Sequence, residues 1–343
     1  MMCFVNKIKE AKKMRQIINN PKNIVQEVLN GYLKSHSEEI ESTDNPRVFK
    51  LREEFISDSK VGVVSAGGSG HLPAFIGYVK PGILDVVAAG NIFEAPPAET
   101  ILDAIRIADR GKGVICIYGN YELDNCCVKS ARMMAEQEGI SVKIVAANDD
   151  VATIGKDGDR TNARGLAGEV LLWKIAGAAA AEGMSLEQIE QLCQEANSKT
   201  RSIGVALSPC IIPEKHAPKF EVVEGTMEVG IGHHGDPGIS TYKVREANKI
   251  AELMLKEILK TYDLSEKNEV IVLVSGLGST IQMEMYILYN RIADILLSKN
   301  IHVKKVYIGN YFTSLNMHGV SVTLIKVNQQ LEELITREDT VCF

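Results

Sequence analysis

Two adjacent histidines lie in a glycine-rich segment, residues 230–238 (GIGHHGDPG), and are the first candidates for chemistry. Glycines have no Cβ atom, so a ligand or another segment can approach this backbone closely, and Pro237 stiffens the end of the turn. A neutral imidazole can take up a proton or attack a carbonyl carbon. His233 and His234 therefore indicate a loop suited to acid–base or nucleophilic work on a small polar molecule.

A second glycine-rich segment, residues 65–71 (SAGGSGH), also ends in a histidine and directly follows the strand-like run 61–64. A lone loop histidine most often only makes hydrogen bonds. Two such loops can converge on one ligand, which makes His71 a candidate beside His234. Asp124, just after the apolar run 113–117, is the candidate carboxylate, because α/β proteins bind ligands at the carboxyl ends of their strands.

A nucleotide site and a metal site fit these sequence segments less well. Segment 65–71 lacks the Lys-Ser/Thr pair of a phosphate-binding P-loop and the spacing of the dinucleotide fingerprint, so we do not expect a nucleotide site in this chain. Segment 276–280 (GLGST) is better explained as a tight packing turn. The histidines lack metal-binding spacings such as His-x-x-x-His, so we expect no metal.

Composition excludes several partner classes. The chain has 343 residues and a net charge of -6, with charges of both signs scattered, which argues against nucleic acid or an anionic membrane surface as a partner. No signal peptide and no stretch of roughly 18 apolar residues is present, so we expect a cytoplasmic protein. The seven cysteines form no Cys-x-x-Cys pair and are expected to be reduced and mostly buried, with a redox role for Cys126 and Cys127 as the alternative.

Alternating apolar runs and helical periods predict an α/β fold of two α/β lobes, each a sheet flanked by helices. In the first lobe, strands are expected near 61–64, 84–88, 113–117 and 142–145, and helices near 98–108, 128–135 and 167–181. In the second lobe, strands are expected near 203–207, 270–274, 303–308 and 320–327, and helices near 244–259 and 276–297. The predicted divisions are a disordered extension (1–14), a first lobe (15–200) and a second lobe that carries His234 (201–343).

One helix start is predicted in more detail. Ser185 and Gln188 have the spacing of a capping box, in which each side chain bonds the other residue's backbone. Behind them, apolar residues recur at helical spacing on one face, which is expected to be buried.

Taken together, these segments resemble the substrate-binding subunit of dihydroxyacetone kinase. The likeness extends from about Arg15 to Leu334. It rests on residues 67–71 (GGSGH), 120–124 (NYELD), 164–168 (RGLAG), 174–178 (KIAGA), 202–207 (SIGVAL), 227–232 (MEVGIG), 234–238 (HGDPG), 313–315 (TSL) and 326–327 (KV).

The resemblance implies roles for individual residues. His234 would bond covalently to the substrate carbonyl as a hemiaminal, and His71 and Asp124 would act as acid–base groups. The implied substrate-binding residues are Gly67, Gly68, Ser69, Gly70 and Asn120. The phosphoryl group would come from a helical partner subunit that binds ATP or ADP with Mg²⁺, or from a phosphotransferase-system-linked donor, so no cofactor is expected in this chain. A homodimer is expected.

The chain departs from the family pattern around these residues. The family usually has Glu at the position of Leu72, Ser at that of Ala95 and Lys at that of Gly119, and the C-terminal residues 339–343 also differ. Substitutions around the retained His71, Asp124 and His234 are compatible with an alternative member of the same family. That alternative is a coactivator that binds dihydroxyacetone without phosphorylating it and acts on a transcription regulator.

Overall fold

Two six-stranded sheets, each flanked by helices, form the computed structural model, which confirms the predicted α/β class. The structure describes residues 16–57, 59–215, 217–218, 220–262 and 268–337. The predicted extension 1–14 and the C-terminal residues 339–343 lie outside these ranges. No helix within the described ranges is both long and apolar enough to cross a membrane.

The first sheet has the strand order β1-β2-β4-β3-β5-β6. Strands β3 to β6 are parallel, whereas β1 and β2 run antiparallel at one edge. The valine- and isoleucine-rich central strands are buried on both faces, as expected for parallel strands covered by helices. The strands are β1 (Ile40–Ser42), β2 (Val48–Leu51), β3 (Gly62–Ser69), β4 (Val86–Ile92), β5 (Val114–Gly119) and β6 (Val142–Ala147).

Helices cover both faces of this sheet. They are α1 (Ile24–Ser35), α2 (Ala98–Ala108), α3 (Glu122–Gln137), α4 (Gly168–Ala181) and α5 (Leu186–Ser198). The bounds of α2 agree with the predicted 98–108, and the Ser185–Gln188 capping box at the start of α5 is confirmed.

The helix α4 lies between the two sheets. It packs against β3 and β5 on one side and against strands of the second sheet on the other. Its residues from Gly168 to Ala180 are buried, as expected for a helix that is apolar on every face apart from Glu169 and Lys174. The small residues along it allow the close approach, because a Cβ atom on Gly177 would lie 2.2 Å from the Gly82 carbonyl oxygen. Both sheets therefore share one core around α4.

The second sheet has the order β11-β10-β7-β14-β12-β13 and is antiparallel apart from β12 and β13. Two short strands pair outside it. In chain order these elements are β7 (Thr200–Ala206), β8 (Ile211–Ile212), β9 (Ala217–Pro218), β10 (Thr226–Val229), β11 (Ser240–Lys243), α6 (Ala247–Lys260), β12 (Glu269–Gly276), α7 (Gln282–Ser298), β13 (His302–Gly309), β14 (Gly319–Lys326) and α8 (Gln329–Thr336).

The predicted helix 276–297 begins in the wrong place, because α7 starts only at Gln282. Gly276 ends β12, and Gly278 has a positive φ of 126°. A Cβ atom on Gly278 would lie 1.9 Å from the Leu315 carbonyl oxygen. The segment is thus a packing turn, as predicted, and the backbone contact at Gly278 keeps it out of the helix.

Candidate active site

The predicted site residues come from four chain segments that meet at the carboxyl ends of β3 and β5. His71 follows β3, and Asp124 lies in the first turn of α3, just after β5. The histidine pair lies in the loop between β10 and β11, and the loop between β13 and β14 supplies Phe312 and Thr313. Because β3 and β5 are hydrogen-bonded neighbours, their carboxyl ends are adjacent at one edge of the sheet.

His71 is fully buried, and its Nδ1 lies 2.7 Å from the carbonyl oxygen of Thr313. A carbonyl oxygen only accepts hydrogen bonds, so Nδ1 carries the proton and Nε2 carries the lone pair of the neutral ring. The His71 and His234 ring centroids are 4.9 Å apart. The structure therefore brings the two predicted loop histidines together, with Nε2 of His71 as the basic nitrogen.

The two adjacent histidines have different surroundings. The ring of His233 stacks on Phe312 at 4.6 Å, and His233 is 2% exposed. Burial holds the pKa of His233 well below its usual value, with smaller contributions from His71 and Arg164. The His234 side chain keeps 15% exposure. Of the pair, His234 is therefore the one that a molecule arriving from solvent can reach.

Two groups lie next to the His234 ring. Its centroid lies 4.3 Å from the ring of Tyr121, whose hydroxyl donates to the Gly165 carbonyl at 3.0 Å. Its Nδ1 lies 4.0 Å from Oδ2 of Asp236, a buried oxygen with no hydrogen bond to any described residue. Asp236 is therefore near enough to orient the imidazole after a small shift of either side chain.

Asp124 lines the same cavity as His234. Burial raises the pKa of its carboxyl to about 7, against an ordinary value of 3.8. A carboxyl that titrates near neutral pH can both accept and return a proton under working conditions. This is the behaviour that an acid–base group requires.

Glu169 was not predicted from the sequence. It lies in the first turn of α4, is 1% exposed and lines the cavity beside Asp124. Burial raises the pKa of Glu169 well above its usual value, and the negative charges of Asp124 and Asp149 add to the effect. In the sequence it directly follows the motif 164–168, but an acidic residue in a first helical turn is ordinarily explained by the helix dipole.

Arg164 is a second residue whose role only the structure reveals, and it connects the two lobes at the site. Its Nε and Nη2 lie 2.9 and 2.7 Å from Oδ2 of the fully buried Asp150. Its Nη2 also donates to the Gly230 carbonyl at 2.7 Å, and its Nη1 donates to the Pro237 carbonyl at 3.4 Å. Arg164 thus fastens both ends of the histidine loop to the first lobe.

The other predicted substrate-binding residues are less uniformly placed. Gly68 lines the histidine cavity, whereas Gly67, Ser69 and Gly70 line a different cavity on the far side of the loop. Asn120 lines neither cavity. Its Nδ2 donates to the carbonyl oxygens of Thr161 and Ala163, in the loop before α4. Asn120 braces that loop, and Gly70 adopts a positive φ of 108° that lets the chain turn from β3 toward His71.

The two cavities differ in size and lining. The histidine cavity measures about 10 Å³, which is roughly the room of one water molecule. The far-side cavity measures about 600 Å³ and is mainly apolar. A carbonyl compound that reaches His234 must therefore move side chains at the mouth of the small cavity, which favours very small substrates.

Metal ligands and cysteines were the other candidates for chemistry. The described ranges contain no group of three or more His, Cys, Asp or Glu side chains suited to hold a metal ion. Cys116, Cys193 and Cys210 are buried, whereas Cys126 is exposed and Cys127 is half-buried. Burial raises the pKa of Cys116 to about 12, which keeps that thiol protonated.

Comparisons with known proteins agree with this geometry. The Dak1 domain family matches residues 30–342. The chain is 35% identical to the "PTS-dependent dihydroxyacetone kinase 2, dihydroxyacetone-binding subunit DhaK" of Listeria innocua, covering 96% of this chain and 98% of that protein.

Two solved structures share the fold. The "Dihydroxyacetone kinase operon co-activator Dha-DhaQ" superposes with a TM-score of 0.83 at 32% identity, covering 90% of this chain and 94% of that one. The dihydroxyacetone kinase of C. freundii superposes with a TM-score of 0.82 at 27% identity, covering 93% of this chain and 58% of that one.

Proposed function

Because the chain belongs to the Dak1 domain family of DhaK-type dihydroxyacetone-binding subunits, we propose that it holds dihydroxyacetone as a covalent hemiaminal on His234. A partner subunit then phosphorylates the bound substrate. The observation that supports this proposal most directly is that His234 and Asp124 line one small cavity and that the His71 ring lies 4.9 Å from the His234 ring, with His234 the more exposed of the two adjacent histidines.

The covalent step is an addition. A neutral imidazole nitrogen of His234 forms a bond to the carbonyl carbon, and the π electrons of the C=O bond move onto the oxygen. That oxygen takes up a proton, while the imidazole releases its other ring proton. No atom leaves, so the reaction needs only groups that move protons, and it accepts aldehydes and ketones but not alcohols such as glycerol.

His71 and Asp124 are the groups that move these protons and the proton of the hydroxyl to be phosphorylated. Nε2 of His71 carries a lone pair because Nδ1 donates to Thr313. Asp124 exchanges a proton near neutral pH because burial raises its pKa to about 7. ATP or ADP with Mg²⁺, or a phosphotransferase-system-linked donor, belongs to the partner subunit. A homodimer in the cytoplasm is part of the same proposal.

Mass spectrometry under non-denaturing conditions tests the covalent step, because it detects a hemiaminal directly as an added mass. We expect intact-protein mass spectrometry to detect one dihydroxyacetone unit on the wild type and none on His234→Ala. His233→Ala is the matched control, and it should still form the adduct because His233 is stacked beneath Phe312. An adduct that survives His234→Ala contradicts the assignment, as does a wild type that forms none.

Turnover separates the kinase proposal from a second candidate, a coactivator that binds dihydroxyacetone without phosphorylating it. The number of carboxyl groups around the histidine favours this second candidate. Asp124, Glu169 and Asp236 lie around the histidine, and the nearby Arg164 is paired with Asp150. Phosphoryl transfer is normally assisted by cationic groups, which here would have to come from the partner.

The deciding assay mixes the purified chain with a helical partner subunit and measures dihydroxyacetone phosphate. For a kinase subunit, His71→Ala and Asp124→Asn should lower kcat by about 10²- to 10⁴-fold, the usual contribution of positioned acid–base groups, while leaving the adduct largely intact. An adduct without turnover contradicts the kinase proposal and supports the coactivator.

A further inference from the structure

Glu169 is a buried carboxyl group that the proposed mechanism does not use. It lines the histidine cavity with Asp124, and its Oε1 makes no hydrogen bond to any residue that the structure describes. Buried polar atoms nearly always have a partner. An oxygen left without one, on a residue that lines the same cavity as His234, indicates that its partner arrives with the substrate.

Ser65 is a polar neighbour of the Glu169 carboxyl. Ser65 Oγ donates to the Ile117 carbonyl at 2.7 Å. Its contact with the carboxyl lowers the pKa of Glu169, but burial outweighs this effect and holds the pKa well above its usual value.

The titratable groups that face Glu169 disfavour its ionised form. They are Asp124 on α3, Asp149 after β6 and Cys116 on β5. Negative charge on the aspartates opposes a further negative charge nearby, and the buried thiol stays uncharged. Oε1, which has no partner among the described residues, can accept a hydrogen bond whether or not the carboxyl is ionised.

We propose that Glu169 is a specificity-determining residue whose Oε1 accepts a hydrogen bond from a hydroxyl group of the carbonyl compound that His234 holds. This inference rests on the proposed function. The substrate class is a small α-hydroxy ketone or aldehyde, in which the hydroxyl is one carbon away from the carbonyl. The cavity of about 10 Å³ matches one hydroxyl group in size.

Selectivity follows from the cost of leaving Oε1 without a donor. A site built to bond a hydroxyl discriminates strongly against an analogue that carries a methyl group there, because the buried acceptor then stays unpaired. Hydroxyacetone and 2-butanone form such a pair, since a methyl group replaces the single hydroxyl.

The experiment compares the affinities of these two ligands in the wild type and three variants. The single tryptophan, Trp173, reports binding by its fluorescence, because it packs against Phe75 and Phe312, which line the cavity. We expect the wild type to prefer hydroxyacetone, and Glu169→Leu to reduce that preference by about tenfold, the loss of one buried hydrogen bond.

Two further variants control for packing and charge. Glu169→Gln has nearly the same shape and keeps one amide oxygen that can accept a hydrogen bond, so it should retain the preference within about threefold. Glu182→Gln, at the far end of the same helix and exposed, should behave as the wild type. If Glu169→Leu does not fold, Glu169→Met removes the acceptor with an unbranched side chain.

An equal preference in the wild type and in the variant without an acceptor overturns the proposal. A purely structural Glu169, or one whose Oε1 is satisfied by a resident water, would weaken both ligands alike and leave their ratio unchanged. Failure of the proposed function is distinguishable, because it appears in mass spectrometry as the absence of an adduct on wild-type His234, whereas the ligand preference is measured by fluorescence.

Discussion

Replacing Asp124 by asparagine should change how the stability of the protein depends on pH. In the folded protein, burial raises the pKa of Asp124 to about 7, whereas the unfolded chain should show an ordinary value near 3.8. Below pH 3.8 both states bind the proton, so the carboxyl costs nothing. As pH rises toward 7 the unfolded state loses its proton first, so stability is lost progressively and levels off above about pH 7.

The size of the effect follows from the difference between the two pKa values. That difference, roughly three pH units, corresponds to about 4 kcal/mol at most, at about 1.36 kcal/mol per unit. Asp124 is half-buried, so solvent screening lowers the expected value to about 2 kcal/mol or more. The asparagine side chain cannot ionise. The free energy of unfolding of Asp124→Asn minus that of the wild type should therefore increase by this amount between about pH 4 and pH 7.

Urea unfolding at intervals from about pH 4 to pH 8.5 measures this difference directly. Glu122→Gln is the matched control, because Glu122 lies in the same first turn of α3 but is exposed, and its difference from the wild type should stay nearly constant with pH. A pH-independent difference for Asp124→Asn would refute the reasoning, since it would mean that the folded protein does not disfavour the ionised carboxyl.

Two other perturbations have defined outcomes. Arg164→Ala should lower the free energy of unfolding by about 3–5 kcal/mol in urea titrations, because Asp150 loses its partner in a buried pair. The same change should slow adduct formation by loosening the histidine loop. An unchanged rate of adduct formation, followed by mass spectrometry, would show that other contacts hold the loop. Removing the residues before Met14 should leave the melting temperature unchanged, as expected for a terminal extension without an apolar stripe. A fall of several degrees would contradict this prediction.

Local sequence patterns were sufficient for many elements. The bounds of α2 and the capping box of α5 depend on residues within one or two turns, so they are readable from the chain. The strands β1, β2, β10 and β11 were not predicted, because each has only three or four residues and depends on pairing with a distant strand. Strand pairing is a tertiary property.

The candidate site residues divide in the same way. Motifs in the chain were enough to nominate His71, Asp124 and His234, because glycine-rich loops and their spacing are local features. The environments of Glu169 and Arg164 were not readable. Glu169 looks like an ordinary first-turn acid until α4 is packed between two sheets, and Arg164 looks like a loop cation until the histidine loop folds against it.

The neighbours His233 and His234 show most directly what sequence patterns cannot predict. They are identical in type and adjacent in the chain. The family motif 234–238 nominates His234, but nothing in the composition or spacing of the loop gives the two rings different environments. Packing does so: Phe312, from the loop between β13 and β14, stacks on His233 and buries it, whereas the His234 ring lies against Tyr121 with part of its surface open. Desolvation and access depend on segments far apart in sequence, and they are established only when the two lobes come together.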